Sequence, residues 1–374
     1  MPDGVAPPTF ACVAAGGTGG HVLPGLAVAR ALVDRGVDPA AIRFVGSDRG
    51  VETTLVPEAG FSLVTLPGRG IERKISLAAL TSVLAIIGGV LKGIGVLRRM
   101  RPRVVVVLGG YAAVPCIVGA VLWRIPMVVV ARDARAGLAD LLAGRFARAS
   151  AVPFDGTDLP RAVVTGYPVR TEILALADGR DRAGACAQLE LPADRVVIGV
   201  FTGSLGSRRV NEAVRGLIDT WRDRDDIAIR HVIGRRDWDA YVADLPTLPE
   251  GGLVYDAVPY EDRMDLLLAA ADVVVSRAGG SVSEIATAGV PSVLVPLPIA
   301  PRDHQTYNAE ALVRRGAAIR VPDDECTAER LVLELEPLIA DPVRRATMGA
   351  HARELAHPDA AERIAQLIQD HARR

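Results

Sequence analysis

Apolar runs of strand length, each leading into a helical pattern, recur almost from end to end of this chain. One series occupies residues 10–15, 42–46, 104–108, 127–131, 149–152 and 163–165. A second opens at 196–201 and continues through 227–233, 273–276, 292–295 and 318–321. Continuous apolar strands separated by helices predict parallel sheets covered on both faces, the α/β class. At 374 residues the chain exceeds what one hydrophobic core usually supports, and a connecting segment around 167–195 separates the two series. The reading is therefore two doubly wound, Rossmann-like domains, 1–166 and 167–374, with the last helix as the element that could pack back on the first domain. Sheets of this kind bind ligands beyond the carboxyl ends of their strands, so two of them facing one another predict a binding cleft.

The loops at those ends carry the chemistry. The first strand runs into Gly16, Gly17, Thr18, Gly19, Gly20 and His21, and then into an amphipathic helix pattern. Glycines let the backbone turn tightly and approach a ligand, and free N–H groups at a helix start favour an anion such as phosphate. A plain strand-to-helix turn is the alternative. His21 weighs against it, because an imidazole beside a phosphate cradle can act as a general base near neutral pH. Gly109, Gly110 and Tyr111 form a second cradle or a structural turn, and Arg170 is a phosphate ligand or a surface arginine. In the second domain Ser204 lies in a small-residue loop whose hydroxyl and amides could hold a pyrophosphate. Gly279, Gly280 and Ser281 precede a helix carrying Glu284, which could accept both hydrogen bonds of a ribose diol or simply complement the helix dipole. Downstream, Asp303, His304, Gln305, Thr306, Tyr307 and Asn308 form a polar cluster between an apolar strand and a helix, a setting more often functional than structural.

Composition removes other classes. With 43 basic and 44 acidic residues the chain lacks the basic excess of a nucleic-acid binder. Cys12, Cys116, Cys186 and Cys326 have neither metal nor redox spacing and read as buried thiols in a reducing compartment. Residues 1–9 lack the pattern of a signal peptide, which predicts a cytoplasmic protein. Asp223-Arg224-Asp225 matches the DxD of metal-dependent transferases but sits in a charged run and reads as a solvated turn. Val22 occupies the third glycine position of a dinucleotide fingerprint counted from Gly17, so a nicotinamide cofactor is disfavoured. Residues 75–91 are uncharged and near the ~20 residues of a membrane span, yet a strand of the first sheet follows shortly after. A span would split that sheet across a membrane. Two readings stay open: a buried core helix, or a helix on a membrane surface flanked by Arg73, Lys74, Lys92, Arg98, Arg99, Arg101 and Arg103.

Taken together, these loops resemble the MurG family, whose members transfer N-acetylglucosamine from UDP-N-acetylglucosamine to the lipid-linked N-acetylmuramyl-pentapeptide of peptidoglycan synthesis. The likeness spans nearly the whole chain. Residues 16–24 read as the family's GGTGGH-x-x-P, 109–111 as its second glycine loop, 166–170 as G-N-P-V-R and 203–208 as G-S-x-G-x-R; 277–284 and 304–308 resemble its donor-binding motifs. The resemblance implies a GT-B fold and inverting transfer to the C4 hydroxyl of a polyprenyl-diphosphate lipid, converting lipid I to lipid II. It implies no metal and no cofactor, with UDP-N-acetylglucosamine as co-substrate. Glu284 would bind the ribose, Arg170 and Ser204 the diphosphate region, and Gln305 the sugar, with Gly279, Gly280 and Ser281 as the donor loop. His21 would be the base, facing the acceptor diphosphate with the glycine loops of the first domain. The resemblance also favours the surface reading of 75–91, and so a peripheral enzyme on the cytoplasmic side of the cell membrane.

The chain departs from the family pattern at several places. Val130-Ala131-Arg132-Asp133 stands where His-Glu-Gln-Asn is common, Tyr167 replaces an asparagine, the loop from Arg277 to Glu284 is one residue short, and Glu261 replaces an apolar residue near the expected uracil contact. The altered 130–133 segment favours, as an alternative, a MurG-like transferase acting on another polyprenyl-phosphate lipid. A UDP-sugar epimerase and an inactive nucleotide-sugar-binding module are the remaining readings. Oligomeric state carries no sequence signal.

Overall fold

A computed structural model describes residues 8–16, 19–48, 50–66, 77–110 and 113–374, and for 77–87 the helical backbone alone. The chain divides into two compact units, residues 1–170 with 357–374, and residues 171–356.

Unit 1 runs β1 (Ala11–Ala14), α1 (Gly19–Asp34), β2 (Ile42–Ser47), α2 (Glu52–Glu58), β3 (Ser62–Leu66), α3 (Leu77–Met100), β4 (Val104–Val107), α4 (Val114–Leu122), β5 (Met127–Val130), α5 (Leu138–Gly144), β6 (Ala149–Val152) and β7 (Ala162–Val164). Its seven strands form a parallel sheet in the order β3-β2-β1-β4-β5-β6-β7. Successive side chains of a strand point to opposite faces, so the valine-rich strands feed two cores at once. Val13, Val104, Val106 and Val128 pack under α1, while Cys12, Val105, Val107 and Val129 pack under α3, α4 and α5. The α3–α4 contact is close because Gly93 lies against Pro115 and Gly119 against Leu97.

Unit 2 runs α6 (Thr171–Leu174), α7 (Arg182–Gln188), β8 (Val196–Phe201), α8 (Arg208–Trp221), β9 (Ile227–Val232), α9 (Trp238–Val242), β10 (Val254–Val258), α10 (Met264–Ala270), β11 (Val273–Ser276), α11 (Ser281–Ala288), β12 (Ser292–Leu294), α12 (His304–Val313), β13 (Ala318–Arg320), α13 (Ala328–Ala340) and α14 (Pro342–Arg353). The six strands again pair in parallel, in the order β10-β9-β8-β11-β12-β13, with α8 and α13 closing one face. The last helix, α15 (Ala360–His371), belongs to unit 1. Its Ile364, Ala365 and Ile368 enter the core beneath α1, and Gln369 accepts a hydrogen bond from Arg35 at 2.8 Å. Where the chain returns, Gly166 has φ +77° and any Cβ on it would run into His357, so only glycine fits.

Two strands, β3 and β10, are absent from the apolar runs of the sequence. Both are sheet edges and mostly half-buried, and Ser62, Thr65 and Asp256 interrupt their apolar pattern, whereas central strands such as β4 and β5 are continuously apolar and buried. Of the uncharged 75–91 stretch, Ile75 and Ser76 lie outside the described residues, as do Arg73 and Lys74; the rest is the first part of α3. Among the described residues no helix is long and apolar enough to cross a membrane.

Candidate active site

In a doubly wound sheet the crevice for a ligand opens where strand order reverses, at the carboxyl ends of the two central strands. That switch lies between β1 and β4 in unit 1 and between β8 and β11 in unit 2. The glycine loops follow just those strands. Asp223-Arg224-Asp225, by contrast, forms the turn entering β9, at the opposite edge of its sheet, and Arg224 is held by Asp226 and Glu336.

In unit 1, Gly19, Gly20 and His21 form the first turn of α1. Gly110 has φ +79°, and a Cβ there would stand 2.9 Å from the carbonyl oxygen of Gly16 and 3.7 Å from His21 Nδ1, so the loop after β4 closes on the loop after β1 only as glycine. A Cβ on Gly109 would stand 3.5 Å from His21 Nε2 and 3.1 Å from Asp140 Oδ1. Burial, helped by the charge of Arg132, pushes the His21 imidazole down to about 4, against the opposing pull of Asp133 and Glu52. The ring is therefore neutral at physiological pH and has a lone pair to accept a proton. Gly17, Thr18 and Tyr111 lie outside the described residues.

The departures of the 130–133 segment and of position 167 prove to be parts of this site. Arg132 Nε donates to Asp133 Oδ2 at 3.0 Å, so a carboxylate and a guanidinium stand near His21 where an imidazole and a carboxylate were missed. Tyr167, 7% exposed, donates from its hydroxyl to the Gly20 carbonyl at 2.6 Å and so fixes the residue before His21. Glu52, fully buried, accepts from Ser47 N and Ser47 Oγ, both at 2.7 Å. Asp140 carried no signal beyond its spacing from Gly137, which is that of a helix-capping carboxylate.

In unit 2 one guanidinium ties several loops together. Arg277, just after β11, donates to the carbonyls of Val295 (3.0 Å) and Pro296 (3.1 Å) and to Ser207 Oγ (2.7 Å), and pairs with Asp323 at 2.6 Å. It thereby ties together the loops after β8, β11, β12 and β13. Ser207 is also the N-cap of α8, accepting from Val210 N. Gly279 and Gly280 lead into α11, which starts at Ser281 and carries Glu284 in its first turn. Gln305 accepts from Leu297 N at 2.9 Å, which aims its Nε2 at Gly279, 3.7 Å from where a Cβ would be. Asn308, fully buried, donates to the Ala278 carbonyl at 2.9 Å and holds the same loop from below. Arg302 and Asp303, immediately before α12, both adopt left-handed backbone (φ 56° and 55°), a strained pair at the entrance to Gln305. Ser204 is exposed on the loop after β8. Glu261 is buried and bound by Arg230 at 2.6 Å and by Arg263 N at 3.0 Å, so its charge is already answered. Arg170 is the last residue of unit 1 before the chain enters unit 2, whereas Ser204, Glu284 and Gln305 are all on unit 2.

Two sets of backbone amides at helix starts, one beside a neutral imidazole and one beside a carboxylate and a carboxamide, suit two phosphate-bearing ligands and a proton transfer. The glycosyltransferase family 28 N-terminal domain matches residues 11–152 and the family's C-terminal domain matches residues 197–364. The UDP-N-acetylglucosamine–N-acetylmuramyl-(pentapeptide) pyrophosphoryl-undecaprenol N-acetylglucosamine transferase of Desulforudis audaxviator is 35% identical, over 96% of this chain and 97% of its own. The protein of the same name from Nocardia farcinica is 39% identical, over 95% of this chain and 94% of its own. Among solved structures, Acinetobacter baumannii MurG superposes with a TM-score of 0.77 at 27% identity, covering 97% of this chain and all of that one (100%).

Proposed function

The chain belongs to glycosyltransferase family 28, and on that premise we propose that it transfers N-acetylglucosamine from UDP-N-acetylglucosamine to polyprenyl-diphosphate-linked N-acetylmuramyl-pentapeptide, the step from lipid I to lipid II in cell-wall synthesis. The near-full-length similarity to relatives that bear the name of this reaction carries the reading. His21 takes the proton of the acceptor's C4 hydroxyl, and the freed oxygen attacks the anomeric carbon from the face opposite UDP. Glu284 holds the ribose and Gln305 the sugar. Ser204, Arg170 and the amides at the start of α11 take up the charge of the departing diphosphate, with no metal ion called upon. Incubation with UDP-N-acetylglucosamine and a soluble lipid I analogue should release UDP and form the disaccharide lipid. UDP binding without transfer would redirect the search to another polyprenyl-phosphate acceptor.

The lipid acceptor places the enzyme at the cytoplasmic membrane face, and unit 1 has a surface suited to it. Along α3, α4 and α5 and the turn that follows α5, Leu91 (64%), Leu122 (56%), Leu138 (78%) and Phe146 (53%) are exposed. Lys92, Arg98, Arg99, Arg124 and Arg145 are interspersed, the mixture that binds anionic interfaces peripherally. Replacing Leu138 and Phe146 together by Glu should cut binding to phosphatidylglycerol vesicles by about tenfold or more. Such exposed positions cost the fold little, so turnover of a soluble acceptor analogue should survive. Unchanged vesicle sedimentation would remove this surface from the docking role.

A further inference from the structure

Asp140 lies in the first turn of α5 with 8% of its surface exposed. Its Oδ2 accepts from Gly137 N at 3.3 Å, the ordinary duty of a carboxylate three residues into a helix. Its Oδ1 is buried, has no hydrogen-bond partner among the described residues, and faces the Gly109 turn, the same point that His21 Nε2 borders. Capping accounts for Oδ2 and leaves Oδ1 unexplained. A buried carboxylate oxygen without a donor is costly, and the bond to Gly137 N uses only the other oxygen.

We propose that Asp140 is the positioning partner of His21, its carboxylate stabilising the imidazolium that forms when His21 takes the proton of the acceptor hydroxyl. This rests on the reading of His21 as the base. In the step, the acceptor O–H bond breaks and a His21 N–H bond forms. The hydroxyl's electron pair makes the new bond to the anomeric carbon, and the diphosphate leaves with the electron pair of the old one. The buried negative charge that is unfavourable in the resting enzyme becomes favourable once the neighbouring ring is positive, which is stabilisation specific to the transition state.

The surrounding charges fit a carboxylate poised to change state. Burial raises the Asp140 carboxyl to about 7, with Asp133 adding to the effect and the Gly137 N–H and Arg132 opposing it. Tyr167 faces the same group, and Glu52 acts on His21 from α2. Above pH 7 Asp140 is an anion and can support the imidazolium; below, it is neutral and cannot. A carboxyl held above its unfolded value of ~3.9 binds protons preferentially in the folded state, so its ionisation lowers stability as pH rises from about 4 through 7.

The test is the pH dependence of kcat/KM from pH 5 to 9, with UDP-N-acetylglucosamine and a soluble lipid I analogue, for the wild type, D140N, H21A and the double variant. The wild type should show an acid limb near pH 7. D140N should turn over about 10–100-fold more slowly at pH 8, with its acid limb moved down by a unit or more. It should also melt at the same or a higher temperature than the wild type at pH 8, the difference shrinking on acidification, so that slow turnover is not unfolding. The double variant should be no slower than H21A. Wild-type rates in D140N, or a slower enzyme whose acid limb stays near pH 7, would overturn the role of Asp140 while leaving His21 as base. Full turnover in H21A would overturn both.

Discussion

Replacing His21 by Ala is expected to lower kcat by ~10²–10⁴ with little change in the KM for UDP-N-acetylglucosamine. Apart from Arg170, the donor-side groups proposed above are on unit 2 and His21 is on unit 1, so the variant should still bind UDP, as calorimetry can check. A base kept neutral by burial is ready to accept a proton across the whole physiological range, and its low proton affinity at rest is why a nearby anion would matter. Added imidazole should restore part of the lost rate, since the cavity left by the side chain lies beside the two glycine turns. Wild-type turnover in the variant would take His21 out of the proton transfer.

The second large effect is structural in origin. Arg277 is 8% exposed, donates to two carbonyls and to Ser207 Oγ and pairs with Asp323, an arrangement spread over both ends of a guanidinium fork that an ammonium cannot reproduce. Arg277→Met should destabilise unit 2 by about 3–5 kcal/mol, because Asp323 and two carbonyls lose their partner. Arg277→Lys should recover only a minor part. Both variants should weaken UDP binding by more than tenfold at temperatures where they remain folded, because four loops lose their common anchor. Urea unfolding followed by UDP titration measures the two losses separately. A lysine variant with wild-type stability and affinity would show that charge alone, and not the fork, holds the loops.

Central strands announced themselves in the sequence because a strand buried on both faces has room only for residues such as Val104–Val107. The edge strands β3 and β10, facing water along one side, mix Ser62 or Asp256 into the pattern and lose that signal. The glycine loops were legible for a local reason: positive φ at Gly109, Gly110 and Gly203 is a property of the residue itself. Asp140, Tyr167 and the many-armed role of Arg277 were not, because each depends on a partner distant in sequence. Tyr167 acts on Gly20, and Arg277 on Ser207 and Asp323. Until the sheets order the strands, a tyrosine in place of an asparagine is only a departure from a pattern; afterwards it is a hydrogen bond to the residue beside His21.

Helix α5 holds Leu138 and Leu142 outward and Asp140 inward, since residues two apart on a helix point about 200° from one another. One helix, about 10 Å across, thus separates the solvent-facing apolar stripe from the carboxylate beside His21. If that stripe rests on the bilayer, the helix acts as a fixed spacer. It sets the reacting hydroxyl about one helix diameter above the hydrocarbon, just beyond the ~5–8 Å of one headgroup layer. The acceptor sugar would then be glycosylated while its diphosphate stays in that layer, with the prenyl chain never drawn into water.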